Sequence, residues 1–163
     1  MEIIWKESET NLKVTQVYGI VFDKLGRVLL KVENKKGKKS FSFAGGHPES
    51  FDKTFEATLR REFVEEINTT LKEGVYYIGH QEVREEGKEP YAQVRMTALI
   101  DTIGPVKPDD DNGEVYERVL CHYKKAITYL GWGEVAEKQI TAAVKMAESV
   151  FGLTFEECEE EWV

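Results

Sequence analysis

The sequence predicts an α+β protein in which a mixed β-sheet carries helices on its faces, and three observations predict it. Runs rich in β-branched and aromatic residues recur along most of the chain. Helical patterns interrupt them at only three places. The two kinds of segment do not follow the regular strand-helix-strand order of a parallel sheet. The chain has 163 residues, and 41% of them are hydrophobic, enough to fill one core. A single domain over residues 1–163 is expected, with an acidic, solvated tail over about 155–163.

The first strong strand runs from Val14 to Phe22. Asp23-Lys24-Leu25-Gly26 turns the chain into Arg27–Val32, so the pair reads as a hairpin. Asn34–Lys39 reads as a basic loop, Phe41–Phe43 as a short strand, and Gly45-Gly46 as a turn. From about Thr54 to Asn68 the pattern is helical, because Phe55, Leu59, Phe63 and Ile67 recur every four residues along one stripe. Thr54 or Asp52 can cap its start, and Asn68 suits its end because Asn tolerates the left-handed conformation. Strands follow at Val75–Ile78, extending toward Val83, at Tyr91–Ile100 and at Tyr116–Cys121. Helices close the chain near Lys124–Leu130 and Glu134–Phe151.

Charge narrows the partners. Lys plus Arg number 22 against 30 Asp plus Glu, a net charge of −8, which argues against generic nucleic-acid binding. It leaves phosphorylated small molecules open, since a divalent cation reverses the local sign of charge. No apolar run approaches a membrane span or a signal peptide, and Cys121 and Cys158 lack metal-ligand spacing. A cytoplasmic protein is the expectation, with no membrane partner. For any oligomer, a homodimer is the default of symmetry.

The segment Arg60-Arg61-Glu62-Phe63-Val64-Glu65-Glu66-Ile67 carries the chemistry. At about 100° per residue, Glu66 falls inside the apolar arc and Glu62 at its edge. A helix built only for packing would put both carboxylates on the opposite side. Three anions in one turn repel, and burying any of them unpaired is costly. A hard divalent cation would compensate them, as would arginines on a solvated acidic face, such as Arg61 paired with Glu65. Spacing alone leaves both readings open.

Gly45-Gly46 followed by Arg61-Glu62-x-x-Glu65-Glu66 resembles the box of the Nudix hydrolase family, G-x5-E-x7-R-E-U-x-E-E-x-G-U, with U a bulky aliphatic residue. The resemblance implies a Nudix fold and the hydrolysis, with Mg²⁺ or Mn²⁺, of a diphosphate linkage in a small nucleoside diphosphate derivative. By the same resemblance, Glu62, Glu65 and Glu66 with the Gly45 carbonyl hold metal. Arg61 orients a glutamate, and the general base is a box glutamate such as Glu62 or Glu65, or a carboxylate from a distant loop. The box departs from the family in places. Counted forward from Gly46 its first Glu is Asp52, and counted back from Arg61 it is Lys53. One inserted residue explains both counts, and Asp52 or Glu49 is left to substitute. Asn68 replaces a glycine, Thr69 an aliphatic residue, and Phe63 is aromatic. The alternative reading is a non-catalytic Nudix-fold module that binds a nucleotide or regulates.

Other candidates are less specific. Asp109, Asp110, Asp111 and Glu114 form an acidic loop that can supply a base or ligand, and Glu114 is preferred because it adjoins a strand. The bland reading of this loop is a polar Asn-Gly turn. Lys35–Lys39 can steer a polyphosphate or simply be a solvated loop. Tyr91, Arg95 and Tyr116 can stack on or pair with a nucleotide, or belong to the core. His47 follows the glycine pair, and Trp132 is expected to anchor the last helix.

Overall fold

The computed structural model describes residues 1–163. Its strands are β1 (Glu2–Lys6), β2 (Lys13–Phe22), β3 (Val28–Lys35), β4 (Lys38–Ser42), β5 (Gly45–Gly46), β6 (Thr69–Leu71), β7 (Tyr76–Arg84), β8 (Tyr91–Ile103), β9 (Glu117–Cys121) and β10 (Glu161–Trp162). Its helices are α1 (Phe55–Ile67), α2 (Tyr123–Leu130) and α3 (Glu134–Phe151). The main path of the sheet is β1-β7-β8-β2-β3-β9-β10, with β4 on β3, β5 on β2 and β6 on β8. β2 runs parallel to β8, while the other neighbours are antiparallel, so the sheet is mixed as expected. No helix is long and apolar enough to cross a membrane.

Strand alternation sends side chains to two cores. On one face Val17, Val21, Leu29, Val94, Ala98 and Leu120 lie beneath Leu59, Phe63 and Ile67 of α1. On the other Ile20, Phe22, Val28, Leu30 and Val119 meet α2 and α3 through Ala126, Leu130, Ala136, Ile140 and Ala143. Phe55 drops out of the predicted stripe: it opens α1 and is 39% exposed. Gly19 lets α1 come close, because a Cβ there would sit 2.8 Å from the Phe63 ring.

Three local readings change. The expected hairpin of β2 and β3 shares a single pair, Phe22 with Val28, after which the strands take different partners. β2 continues along β8 and β5, whereas β3 continues along β4 and β9. The basic loop is instead the tip of the β3–β4 hairpin, turned at Lys36 and Gly37, both at positive φ (53° and 81°). Such a turn matches the twist of paired strands. The acidic tail is largely exposed but anchored. Phe155 packs edge-on to Phe22 at 5.4 Å, Tyr129 donates to Glu160 at 2.7 Å, and β10 pairs with β9.

Phe63→Ala would leave a cavity between α1 and Gly19 that neither element can close. A loss of about 3–5 kcal/mol in urea denaturation is expected.

Candidate functional site

Thr54 and Asn68 set the ends of α1. The Thr54 hydroxyl accepts from the Ala57 N–H at 3.1 Å, and Asn68 ends the helix at φ 48°. These caps fix where the glutamates fall relative to β5. Gly45 adopts φ 153° against β2, where a Cβ would collide with the Val17 carbonyl, and its N–H donates 2.8 Å to Glu66 Oε1. Beside it, a Cβ on Gly46 would run into the Glu62 carboxylate. The glycine pair is thus the floor on which Glu62 and Glu66 rest.

Arg61 organises the approach to this floor. Its guanidinium makes a two-armed contact with Asp52, Nη2 to Oδ2 at 2.7 Å and Nε to Oδ1 at 3.1 Å. It also donates to Glu62 at 2.9 Å, to Glu65 at 3.2 Å and to the His47 carbonyl at 3.1 Å. Asp52 further accepts from the Glu49 N–H and the Thr58 hydroxyl, each at 2.9 Å. Of the three residues that counting along the chain leaves open, Asp52 is the one that meets Arg61. The longer loop and the shorter acid together still reach the arginine. Arg61 holds the Asp52 carboxyl well below the usual range, and the backbone and Thr58 donors act with it against burial.

Glu66 is held on a different side, its Oε2 accepting from Lys31 Nζ at 2.9 Å. Burial pushes its pKa up, with Lys31 and the Gly45 N–H opposing and Asp109 adding to the rise. Glu62 is also raised by burial, against Arg61. Burial works against the Lys31 charge too, but Glu66 beside it keeps the ammonium favoured. The Lys31 ammonium lies 4.6 Å from the centre of the Tyr116 ring. Glu62, Glu65 and Glu66 thus share one helix turn, yet no three acids converge into a ready-made cage. Arg61 holds two of them and Lys31 the third.

The acidic loop divides. Asp109 is buried, 5% exposed, and near enough to Glu66 to raise its pKa. Glu114 is exposed; its N–H donates to Asn112 Oδ1, its carbonyl accepts from Asp109, and no hydrogen bond links it to the three glutamates. Turn chemistry accounts for this, since Asp109 and Asn112 side chains both accept from backbone two residues on. Nothing local singles out Lys31, or Asp109 among the acids of its loop, because their contacts with Glu66 are long-range. Strand alternation puts Lys31 on the same face as Leu29.

On the opposite face of the sheet, a cavity of about 420 Å³ opens between β2, β8 and the start of α3. Tyr18, Phe43, Trp132 and Arg95 line it, and Lys31 and Tyr18 adjoin both it and the glutamates. Both residues lie beyond the point where β2 and β3 part. Trp132 contacts Phe43 edge-on at 5.6 Å and forms cavity wall, beyond its expected part as an anchor. Arg95 lies in the cavity and Tyr116 beside Lys31, whereas Tyr91 pairs with Lys13 and Val83 at the far end of β8. His47 Nδ1 bonds to the Thr15 carbonyl at 2.9 Å.

The depressed pKa of Asp52 means that its contribution to stability is full above the unfolded carboxyl pKa, near 4, and is lost as pH falls below it. Glu62 and Glu66 act in the opposite sense, since folding favours their protonated forms and that contribution fades as pH rises through their raised values. Asp52→Asn should therefore destabilise by about 1–3 kcal/mol at pH 7. The gap to wild type should narrow below about pH 4, read by urea denaturation across pH.

Comparison with known proteins agrees with this architecture. The family model described as "NUDIX domain" matches residues 12–143. No curated protein matches the chain. Among solved structures, the Bacillus subtilis pyrophosphohydrolase BsRppH (a point mutant) superposes with a TM-score of 0.65 at 18% identity, covering 91% of this chain and 92% of that one. The Escherichia coli ORF135 protein gives 0.57 at 20% identity over 86% and 94%. A MutT from work on Aliivibrio salmonicida and Vibrio cholerae gives 0.57 at 16% over 79% and 98%. At such identities the superpositions speak for the fold, and the family match spans most of the sequence. The chain belongs to the Nudix family, whose members are hydrolases of phosphorus anhydrides.

Proposed function

We propose that this protein hydrolyses the diphosphate linkage of a small nucleoside diphosphate derivative with the help of Mg²⁺ or Mn²⁺. The observation that carries the reading is the convergence of Glu62 and Glu66 on the Gly45-Gly46 floor, with Glu65 in the same helix turn. The resemblance of this chain to a MutT and to a pyrophosphohydrolase supports it.

The donor set fits a hard cation. Glu62, Glu65 and Glu66 offer carboxylate oxygens on adjacent positions of one helix, and the burial that raises Glu62 and Glu66 is the penalty a bound cation would relieve. These three, with the Gly45 carbonyl, would hold the metal, which supplies charge neutralisation and a more acidic water when bound. The chain's own cations meanwhile oppose that rise and hold the carboxylates in place. Arg61 fixes Glu62 and Glu65 against Asp52, and Lys31 does the same for Glu66. Glu62 and Glu65 are our candidates for the general base; Asp109, more enclosed than Glu114, is the acid of the loop best placed to assist. The cavity beside Lys31 would receive the nucleoside end of the substrate.

Phosphate release, coupled to a phosphatase where needed, should be measured over a panel of nucleoside diphosphate derivatives with Mg²⁺ or Mn²⁺. Metal-dependent turnover is expected, with Glu65→Gln and Glu66→Gln each lowering it on the order of 100-fold. No turnover, with thermal stabilisation by one of the nucleotides, would replace the hydrolase with a binding module.

A further inference from the structure

The cavity contains a buried arginine with no carboxylate partner. Arg95 is 2% exposed, and no acidic side chain lies within salt-bridge distance of it or lines the cavity. Its only close companion of opposite polarity is the face of Tyr18, whose ring centre lies 4.7 Å from the guanidinium carbon. Burial lowers its pKa to about 10, still well above neutrality. Its Nε donates to Gln139 Oε1 at 2.9 Å, and its Nη2 makes no hydrogen bond within the chain.

That first bond dictates a sequence of others. Arginine only donates, so Gln139 must turn its carbonyl toward Arg95 and its amide nitrogen away. The Gln139 Nε2 donates to Gln81 Oε1, and Gln81 Nε2 donates in turn to Gln93 Oε1 at 3.0 Å. Gln81 and Gln93 are direct partners in the β7–β8 register, which keeps this last step in place. Each amide oxygen in the chain of bonds already accepts one donor, which fixes how every amide is turned. What remains at its end is a donor, the Gln93 Nε2, on a half-buried residue that lines the cavity and has no partner in the chain. At its start is the second donor, the free Nη2 of Arg95. A relay of three amides anchored on an arginine thus leaves two donors without partners at the cavity wall, on Gln93 and on Arg95.

Resting on the hydrolase reading for the nature of the substrate, we propose that the Arg95–Gln139–Gln81–Gln93 relay makes this cavity selective for a nucleobase with a carbonyl edge, uracil or guanine, over its amino-edged counterpart, cytosine or adenine. The aromatic walls, Tyr18, Phe43 and Trp132, accept any base by stacking and so contribute affinity without choosing. Selection comes from the relay. A carbonyl oxygen accepts from the donors waiting for it, whereas an exocyclic amine meets them with its own hydrogens and leaves the Gln93 and Arg95 donors unpaired.

The test compares matched pairs, UMP with CMP and GMP with AMP, by calorimetric titration in EDTA. The corresponding triphosphates are compared by kcat/KM with Mg²⁺. The carbonyl member of each pair should be favoured by on the order of 10- to 100-fold in both readouts. Gln93→Glu changes the end of the relay from donor to acceptor at a half-buried site, and its charge acts equally on both members of a pair. The preference should fall at least about tenfold. Gln139→Glu should do the same from the other end, because a carboxylate accepts from both neighbours, so Gln81 and Gln93 reverse and an oxygen faces the cavity. Equal affinities within the pairs, an amino preference, a ratio unchanged in both variants, or no binding of any monophosphate would each overturn the proposal. Turnover without base preference would sink the relay and leave the hydrolase. Selective binding without turnover would do the reverse.

Discussion

One guanidinium holds the region together. Arg61 is bound at once to the loop that follows the glycine pair, through Asp52 and the His47 carbonyl, and to two of the three glutamates on its own helix. Neutralising closely spaced anions is the electrostatic condition for this turn of α1 to exist beside an apolar stripe at all. Lys31 completes the compensation from the sheet side, so the negative cluster is balanced from two directions by cations of separate elements. The loop, the helix and β3 are thereby fixed relative to one another by charge as well as by packing.

The parting of β2 and β3 has a similar organising effect. A long hairpin would have closed the sheet and separated its faces. With only Phe22 and Val28 paired, β5 and β4 take the vacated edges, and Lys31 and Tyr18 stand where both faces are reachable. The carboxylates belong to the α1 side and the aromatic cavity to the α3 side, and Lys31 and Tyr18 border both.

Local physics was readable from the chain. The four-residue spacing and the caps at Thr54 and Asn68 place α1 within a residue, and the same arithmetic puts Glu66 inside the apolar arc, where the structure buries it. Pairings between distant segments were not readable. Nothing around Asp52 says that it, and not Lys53 or Glu49, will meet an arginine nine residues on, since the answer depends on how the loop folds back. Lys31 and Gln139 carry no local mark for the same reason, and nothing near Asp109 raises it above the other acids of its loop, as their partners lie on other elements. The short parting of the first hairpin is equally a matter of competition, because β8 and β9 offer longer ladders than the two strands offer each other.

The end of the chain has a consequence for the protein in concentrated solution. β9 would otherwise form the margin of the main sheet, presenting a row of unpaired amides and carbonyls to any extended segment that drifted by. Glu161 and Trp162 occupy part of that row, and Val163 donates to the Arg118 carbonyl at 3.0 Å. The glutamates that lead into it, Glu156 to Glu160, give the same margin a dense negative charge. A foreign strand, or β9 of a second molecule, meets occupied hydrogen-bond sites and like charge together. The last nine residues therefore act as a guard against edge-to-edge association, a role independent of anything bound at the glutamates.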